Sequence, residues 1–143
     1  MRTDGYISPQ TEESARAHFA ALGPAAQELT REIAVAMEFS QEEYRERVTT
    51  GVVSTAREAL FGSLLEVTTA DRDTFDTWLA EQSISSDTVT IEGGELVEYI
   101  AWHQSPMAGR VIGATYQHER EAAVSTLRRM AWGKLYRPVI IDE

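Results

Sequence analysis

The sequence predicts an α+β fold: a helical N-terminal half packed on a small, mainly antiparallel sheet with a C-terminal helix. Three observations predict it. Apolar residues recur at helical spacing through residues 8–82, apolar and polar residues alternate from Thr88 onwards, and helical spacing returns after Gln117. An all-α fold is the alternative, because residues 95–103 fit either period. A length of 143 residues suits a single domain over 1–143, with the strand-containing part at 88–141.

The helices are delimited by capping signals. Ser8-Pro9 is expected to open the first helix, and Gly23-Pro24 to end it and to open the second. Ser40 and Glu43 form a capping box that opens a third helix, in which Gly51 is a potential break. A fourth helix is expected after Asp71. We expect the apolar stripe of the second helix to face the core; it consists of Leu29, Ile33, Ala36 and Met37.

Strands are expected in the second half. Thr88–Glu92 alternates as a half-buried strand does, and Gly93-Gly94 suits a two-residue hairpin turn leading into residues 95–102. This register would bury Glu98, which counts against it, and a helix over 95–103 is the competing interpretation. We favour the strand because its residues are typical of strands. Further strands are expected at Arg110–Tyr116 and at 138–141, with a helix from Gln117 to about Leu135 between them.

Composition excludes several classes of function. The net charge is −10, and residues 1–102 hold 19 acidic and 7 basic residues, so contacts with nucleic acid are not expected to dominate. The chain lacks cysteine, which excludes disulfides and thiolate metal sites. We expect no cofactor. No apolar run approaches the length of a membrane span or of a signal peptide, so a cytoplasmic location without membrane contact is expected.

The basic residues comprise twelve arginines and one lysine, and asparagine is absent. This acidic, lysine-poor composition resembles that of cytoplasmic proteins from salt-adapted archaea. The run Thr126–Gly133 resembles part of a small uncharacterised haloarchaeal protein family, and that resemblance implies no activity. Glutamate outnumbers aspartate by 17 to 6, whereas extreme halophiles favour aspartate, so a mesophile with a GC-rich genome is the alternative source.

The segment from His103 to Arg110 contains the strongest candidate catalytic residues: His103, Ser105 and Arg110. A histidine can act as a general base, and an arginine can hold an anion through two hydrogen bonds. The competing interpretation is a hairpin turn whose polar residues face water and whose serine caps the backbone. No third group is placed to orient the histidine, so the spacing does not predict a catalytic triad.

Two weaker patterns occur further along the chain. His118-Glu119 begins like a zinc-binding H-E-x-x-H motif, but Ala122 stands where the second histidine belongs, so a metal site would need His103 as well. Basic residues interleaved with Trp132 and Tyr136 could bind nucleic acid; they are Arg120, Arg128, Arg129, Lys134 and Arg137. In the competing interpretation, Arg128 and Arg129 pair with glutamates of the acidic half and Trp132 packs in the core.

The leading hypothesis is therefore a non-enzymatic interaction or binding protein that forms a homodimer or binds an unidentified protein partner. One motive is an edge strand expected at 138–141, which could pair between subunits. A small enzyme or small-molecule binder that uses the His103–Arg110 segment is the second hypothesis. Weak nucleic-acid association through the C-terminal helix is the third.

Overall fold

The computed structural model describes residues 1–142 and confirms the α+β class. In chain order, the elements are β1 (Arg2–Asp4), α1 (Glu12–Ala21), α2 (Gly23–Ala36), α3 (Gln41–Arg47), α4 (Thr50–Leu64), β2 (Val67–Asp71), α5 (Arg72–Glu81), a 3-10 turn (Ser86–Thr88), β3 (Val89–Glu92), β4 (Tyr99–Ser105), β5 (Arg110–Tyr116), α6 (Arg120–Ala131), one turn of π-helix (Trp132–Tyr136) and α7 (Arg137–Ile140). None of the helices within residues 1–142 is long and apolar enough to cross a lipid bilayer.

The five strands form one mixed sheet in the order β1-β2-β4-β5-β3. Neighbouring strands are antiparallel except β3 and β5, which are parallel. The strand interpretation of residues 95–103 is correct from Tyr99 onwards, and β5 has the predicted bounds. The short strands β1 and β2 were not predicted.

The predicted hairpin across Gly93-Gly94 is wrong. The chain leaves β3 at Gly93 and crosses to β4, so that β3 and β4 lie on opposite sides of β5. Gly93 has a φ of 109°, and a Cβ there would collide with the Thr115 side chain of β5. The predicted register would have buried Glu98, whereas the structure leaves Glu98 exposed in the connection, beside a fully exposed Leu96.

The helix starts follow side-chain capping. Ser40 and Glu43 form the predicted capping box, and Asp71 accepts a hydrogen bond from the Thr74 backbone N–H at 2.7 Å. The chain does break near Gly51, but the new helix begins at Thr50 with Thr49 as its cap. The first helix begins later than predicted, because Thr11 caps it.

The central strands are buried on both faces of the sheet. On β4, Ala101 belongs to the core cluster beneath α1, α4 and α6, whereas Ile100 and Trp102 belong to a second cluster beneath α5. Phe61 of α4 lies at the centre of the larger cluster, with its ring centroid 5.1 Å from that of Trp132 and 5.3 Å from that of Tyr136. In the smaller cluster, the Phe75 ring of α5 packs 4.9 Å from Trp102.

The predicted inward face of α2 is wrong. The buried residues of this helix are Ala26, Thr30 and Ala34, which follow i, i+4, i+8 spacing. The predicted stripe of Leu29, Ile33, Ala36 and Met37 is exposed. Small side chains let α2 approach α4 closely, and this approach leaves the larger apolar residues of α2 outside the contact.

The predicted terminal strand at 138–141 is also wrong. After α6 the chain makes one turn of π-helix, Trp132–Tyr136, and continues into α7 with Pro138 in its first turn. Proline suits a first helical turn because its missing N–H is not needed there. The wider π turn buries Trp132, Leu135 and Tyr136 together.

The Gly93→Ala substitution tests the crossover between β3 and β4. We expect it to lower the free energy of unfolding by about 1–3 kcal/mol, because alanine is strained at this φ and its Cβ would meet Thr115. Denaturant unfolding measures the effect. The control is Gly133→Ala, where a Cβ meets nothing within 4 Å. Equal stability of both variants would contradict the described path of the chain.

Candidate functional site

His103 is enclosed in the protein core, with 1% of its surface exposed. Side chains along β4 alternate between the two faces of the sheet, and the His103 side chain lies on the face covered by α6 and the π turn. Its Nδ1 lies 2.6 Å from the Glu66 carbonyl oxygen, and its Nε2 lies 2.6 Å from the Tyr136 hydroxyl. The Tyr136 hydroxyl also hydrogen-bonds with Ser105 Oγ at 3.2 Å. The imidazole therefore joins the end of α4, strand β4 and the C-terminal segment.

The hydrogen bonds of His103 determine its tautomer. A carbonyl oxygen can only accept, so Nδ1 carries the hydrogen and donates it to Glu66. Burial lowers the pKa of the imidazole below its ordinary value of 6.5, the Arg128 charge adds to this, and the bond to Glu66 opposes it. In the neutral ring Nε2 is an acceptor, and its partner is the Tyr136 hydroxyl, which also hydrogen-bonds with Ser105 Oγ. Burial raises the pKa of Tyr136 to about 12, so the phenol keeps its hydrogen.

The candidate residues of the His103–Arg110 segment do not share an open cleft. Ser105 is 1% exposed, and its Oγ accepts from the Ala108 backbone N–H at 3.2 Å, which closes the turn. Arg110 pairs with Ser105 across the hairpin, but it is exposed. The serine therefore caps the backbone, as the turn interpretation expects, whereas the histidine does not face water. His103, Ser105 and Tyr136 are almost completely buried, so their arrangement can order the core.

His118 and Glu119 are exposed and lie just before α6. His103 pairs with Ile112, whereas His118 follows Tyr116, which pairs with Tyr99. Ile112 and Tyr116 are four residues apart on β5, which corresponds to about 13 Å along an extended strand. The two imidazoles therefore do not converge. Within residues 1–142, no group of three or more histidine, aspartate or glutamate side chains could hold a metal ion.

Three basic residues of the C-terminal segment are paired with carboxylates: Arg120, Lys134 and Arg137. Arg120 contacts both Asp4 and Glu121 and donates to Thr69 Oγ1 at 3.1 Å. Lys134 lies 3.8 Å from Glu92. Trp132 is buried against Phe61, so its ring is not displayed for stacking on a base. Within residues 1–142, Arg128 and Arg129 form no ion pair, so the expected pairing of these two arginines with glutamates of the acidic half is wrong.

The most conspicuous surface feature is apolar. We call it the α2–α4 face; it consists of Leu29 and Ile33 on α2, Met37 at the C-terminal cap of α2, and Val52 at the start of α4. These side chains are between 39% and 61% exposed, although α2 and α4 pack against each other. The sequence contains a signal for this surface, because α2 also carries a stripe of small residues at helical spacing: Ala26, Thr30 and Ala34. Burial of this second stripe leaves the larger apolar residues exposed. Periodicity alone does not show which stripe is buried.

The Tyr136→Phe substitution tests the His103 network. Phenylalanine keeps the ring but removes the hydroxyl that lies within hydrogen-bond distance of both His103 Nε2 and Ser105 Oγ. We expect a loss of about 1–3 kcal/mol in the free energy of unfolding, because two buried polar groups lose a partner. Tyr6→Phe is the control, since Tyr6 is 83% exposed. A Tyr136→Phe variant as stable as the control would contradict the network.

A pH titration of stability tests the state of His103. The unfolded imidazole takes up a proton near pH 6.5, whereas the folded one resists protonation because its pKa is lowered. Its contribution is therefore complete above about pH 6.5 and is lost as the pH falls through the folded pKa. We expect the wild type to lose more stability between pH 7 and pH 5 than His103→Gln. Parallel pH profiles would contradict this assignment.

Comparison with known proteins identifies the family. No curated protein and no solved structure matches the chain significantly. Residues 6–137 match the sequence model of a family of unknown function, DUF5809. This range extends from the segment before α1 to the start of α7, and so includes the His103 network and the α2–α4 face. Because the match covers most of the chain, the protein belongs to this family.

Proposed function

We propose that this protein is a non-enzymatic interaction protein that forms a homodimer through the α2–α4 face. One observation supports this most directly: Leu29, Ile33 and Met37, which recur at i, i+4 spacing and so lie along one side of the helix, remain 39–61% exposed. An exposed apolar patch on an otherwise charged protein typically marks an interaction site. The edge strand expected to mediate pairing is absent from its predicted position, and this helical surface replaces it in the proposal.

A second copy is the partner that suits this surface. The same apolar strip on both subunits can meet across a two-fold axis, which matches apolar groups with one another. A charged partner would find no opposite charges within the strip. The net charge of −10 opposes pairing at low ionic strength, whereas concentrated salt screens this repulsion. The proposed setting is accordingly the cytoplasm of a salt-adapted organism, in agreement with the acidic, lysine-poor composition.

The size of the surface indicates a weak dimer. A helix of 14 residues is about 21 Å long, and two packed helices present a strip roughly 20 Å wide. The resulting area of roughly 400 Å² is about half of what each partner buries in a standard interface. We therefore expect association that depends on concentration within the micromolar to millimolar range.

The enclosure of His103 and Ser105 supports a role other than catalysis. A general base must reach the proton that it abstracts, either directly or through one water molecule. Both ring nitrogens of His103 are engaged by protein groups, and the Ser105 hydroxyl bonds within the same network. His103 and Ser105, two of the residues that first suggested an enzyme, instead stabilise the fold.

Light scattering over a dilution series in 0.2 M and 2 M potassium chloride tests the dimer. We expect a concentration-dependent increase in mass that is larger at the higher salt concentration. The Ile33→Lys variant should remain monomeric with unchanged unfolding, because a lysine in the strip would lose hydration on pairing. Val35→Lys is the matched control, since Val35 lies on the opposite side of α2 and is 67% exposed.

Three results would contradict the proposal. The first is a monomeric mass at every concentration and both salt levels. The second is an equal effect of Ile33→Lys and Val35→Lys, which would place the interface elsewhere. The third is stable binding of a different protein at the surface around Ile33, while the isolated chain stays monomeric. That protein, and not a second copy, would then be the partner.

A further inference from the structure

A groove with a positively charged wall lies between α4 and α6. Its volume is about 560 Å³, within the range typical of small-molecule sites. The α4 wall is formed by small residues, among them Ala59, Gly62 and Ser63. The α6 wall carries Ser125, Arg128 and Arg129. The small α4 side chains create the space, and the arginines determine its charge.

The carboxylates that line the groove are already engaged. Glu58 accepts a hydrogen bond from the Trp132 indole N–H at 3.1 Å and forms an ion pair with Arg137 at 3.2 Å. Glu121 pairs with Arg120 at 2.6 Å. Neither carboxylate forms an ion pair with Arg128 or Arg129. The groove therefore concentrates positive charge on a protein whose net charge is −10.

Arg128 is held in place by the end of α4. Its Nε donates to the carbonyl oxygen of Leu65, the C-cap residue of that helix, at 3.0 Å. The side chain is half-buried, and within residues 1–142 its terminal nitrogens have no hydrogen-bond partner and no carboxylate. Because Arg128 lines the groove, its terminal N–H groups are available to a ligand there. Such a planar donor pair matches the two oxygens of a carboxylate or phosphate.

Arg129 supplies a second charge at the rim. It is exposed, and in the part of the chain that the structure describes it forms no hydrogen bond or ion pair through its side chain. The hydrogen bond from Arg128 to the Leu65 carbonyl at the end of α4 gives Arg128 a structural role. Arg129 has no such role. The combination of one oriented guanidinium, one free guanidinium and an adjoining apolar wall is typical of a site for an anion that has an apolar body.

We propose that the α4–α6 groove binds a small organic anion, with its carboxylate or phosphate held by Arg128 and Arg129. Its apolar part lies against Ala59, Val124 and the edge of Trp132, and Ser125 offers a hydroxyl group to its polar atoms. This site is separate from the proposed dimer surface and does not depend on it.

A nucleic-acid strand fits the groove less well than a compact anion. Glu58 and Glu121 belong to the lining, so successive phosphates along a strand would approach carboxylates. The overall negative field also opposes a polyanion more strongly than a single charge. The two available guanidinium groups match one oxyanion.

Isothermal titration in 1 M potassium chloride with four probes tests the proposal. The probes are 1-naphthyl phosphate, 1-naphthoate, inorganic phosphate and neutral 1-naphthalenemethanol. We expect one or both naphthyl anions to bind at least about tenfold more tightly than the neutral probe, because charge-assisted hydrogen bonds provide the difference. Comparison of the two naphthyl anions distinguishes a phosphate ligand from a carboxylate ligand. The indole N–H resonance of Trp132 should shift on binding.

Two variants separate ligand binding from the structural role of Arg128. Arg129→Gln should weaken binding of the preferred anion by about tenfold or more without changing unfolding, since Arg129 makes no internal contact. Arg110→Gln is the matched control: it removes the same charge from an exposed position outside the groove and should leave affinity unchanged. Arg128→Gln should reduce both affinity and stability, because it also removes the cap of α4.

Several outcomes would overturn the site. They are no binding of either naphthyl anion, equal binding of the anionic and neutral probes, or equal affinities of the Arg129→Gln and Arg110→Gln variants. Tighter binding of a short oligodeoxythymidine than of 1-naphthyl phosphate in 0.1 M salt would assign the groove to nucleic acid. Loss of the dimer without loss of anion binding would contradict only the proposed function.

Discussion

The constraint on which the structure depends is that β4 and β5 are buried on both faces. Alternate residues of β4 enter different cores, so Ile100 and Trp102 require cover from α5 while Ala101 requires cover from α6. A single layer of helices could not bury both sets of side chains. The chain therefore places α5 on one face of the sheet and the remaining long helices on the other. The crossover from β3 follows from the same demand, because β3 extends the smaller core.

Burial on both faces also explains the polar residues inside the larger core. His103 lies on the same face of β4 as Ala101, and burying its ring requires a partner for each nitrogen. Glu66 and Tyr136 supply those partners from positions 37 residues before and 33 residues after the histidine. The π turn brings Tyr136 into the core together with Trp132 and Leu135. Residues that resemble catalytic groups in sequence thus stabilise the contact between the sheet and the C-terminal segment.

With those residues committed to the core, the surface features with potential function lie on the outer side of the helical layer. The α2–α4 face is apolar, whereas the α4–α6 groove is positively charged, and α4 contributes to both. This helix can do so because its outward side chains are small or apolar, including Val52, Ala59 and Ser63. Binding of a protein surface or of a compact anion needs complementary shape and charge, and neither needs a reactive side chain. Membership of a family without an assigned activity leaves both kinds of binding open to experiment.

Local chemistry in the sequence determined the features that depend on neighbouring residues. The capping box at Ser40, the helix start after Asp71 and the strand Arg110–Tyr116 each rely on hydrogen bonds or spacing within a few residues. Tertiary packing decided the partner of β3, the buried stripe of α2 and the helical path of residues 137–140. These choices depend on which surfaces meet, and two stripes on one helix can satisfy the same period. The positions of His103 and Arg128 followed from packing for the same reason, since their hydrogen-bond partners lie more than thirty residues away in sequence.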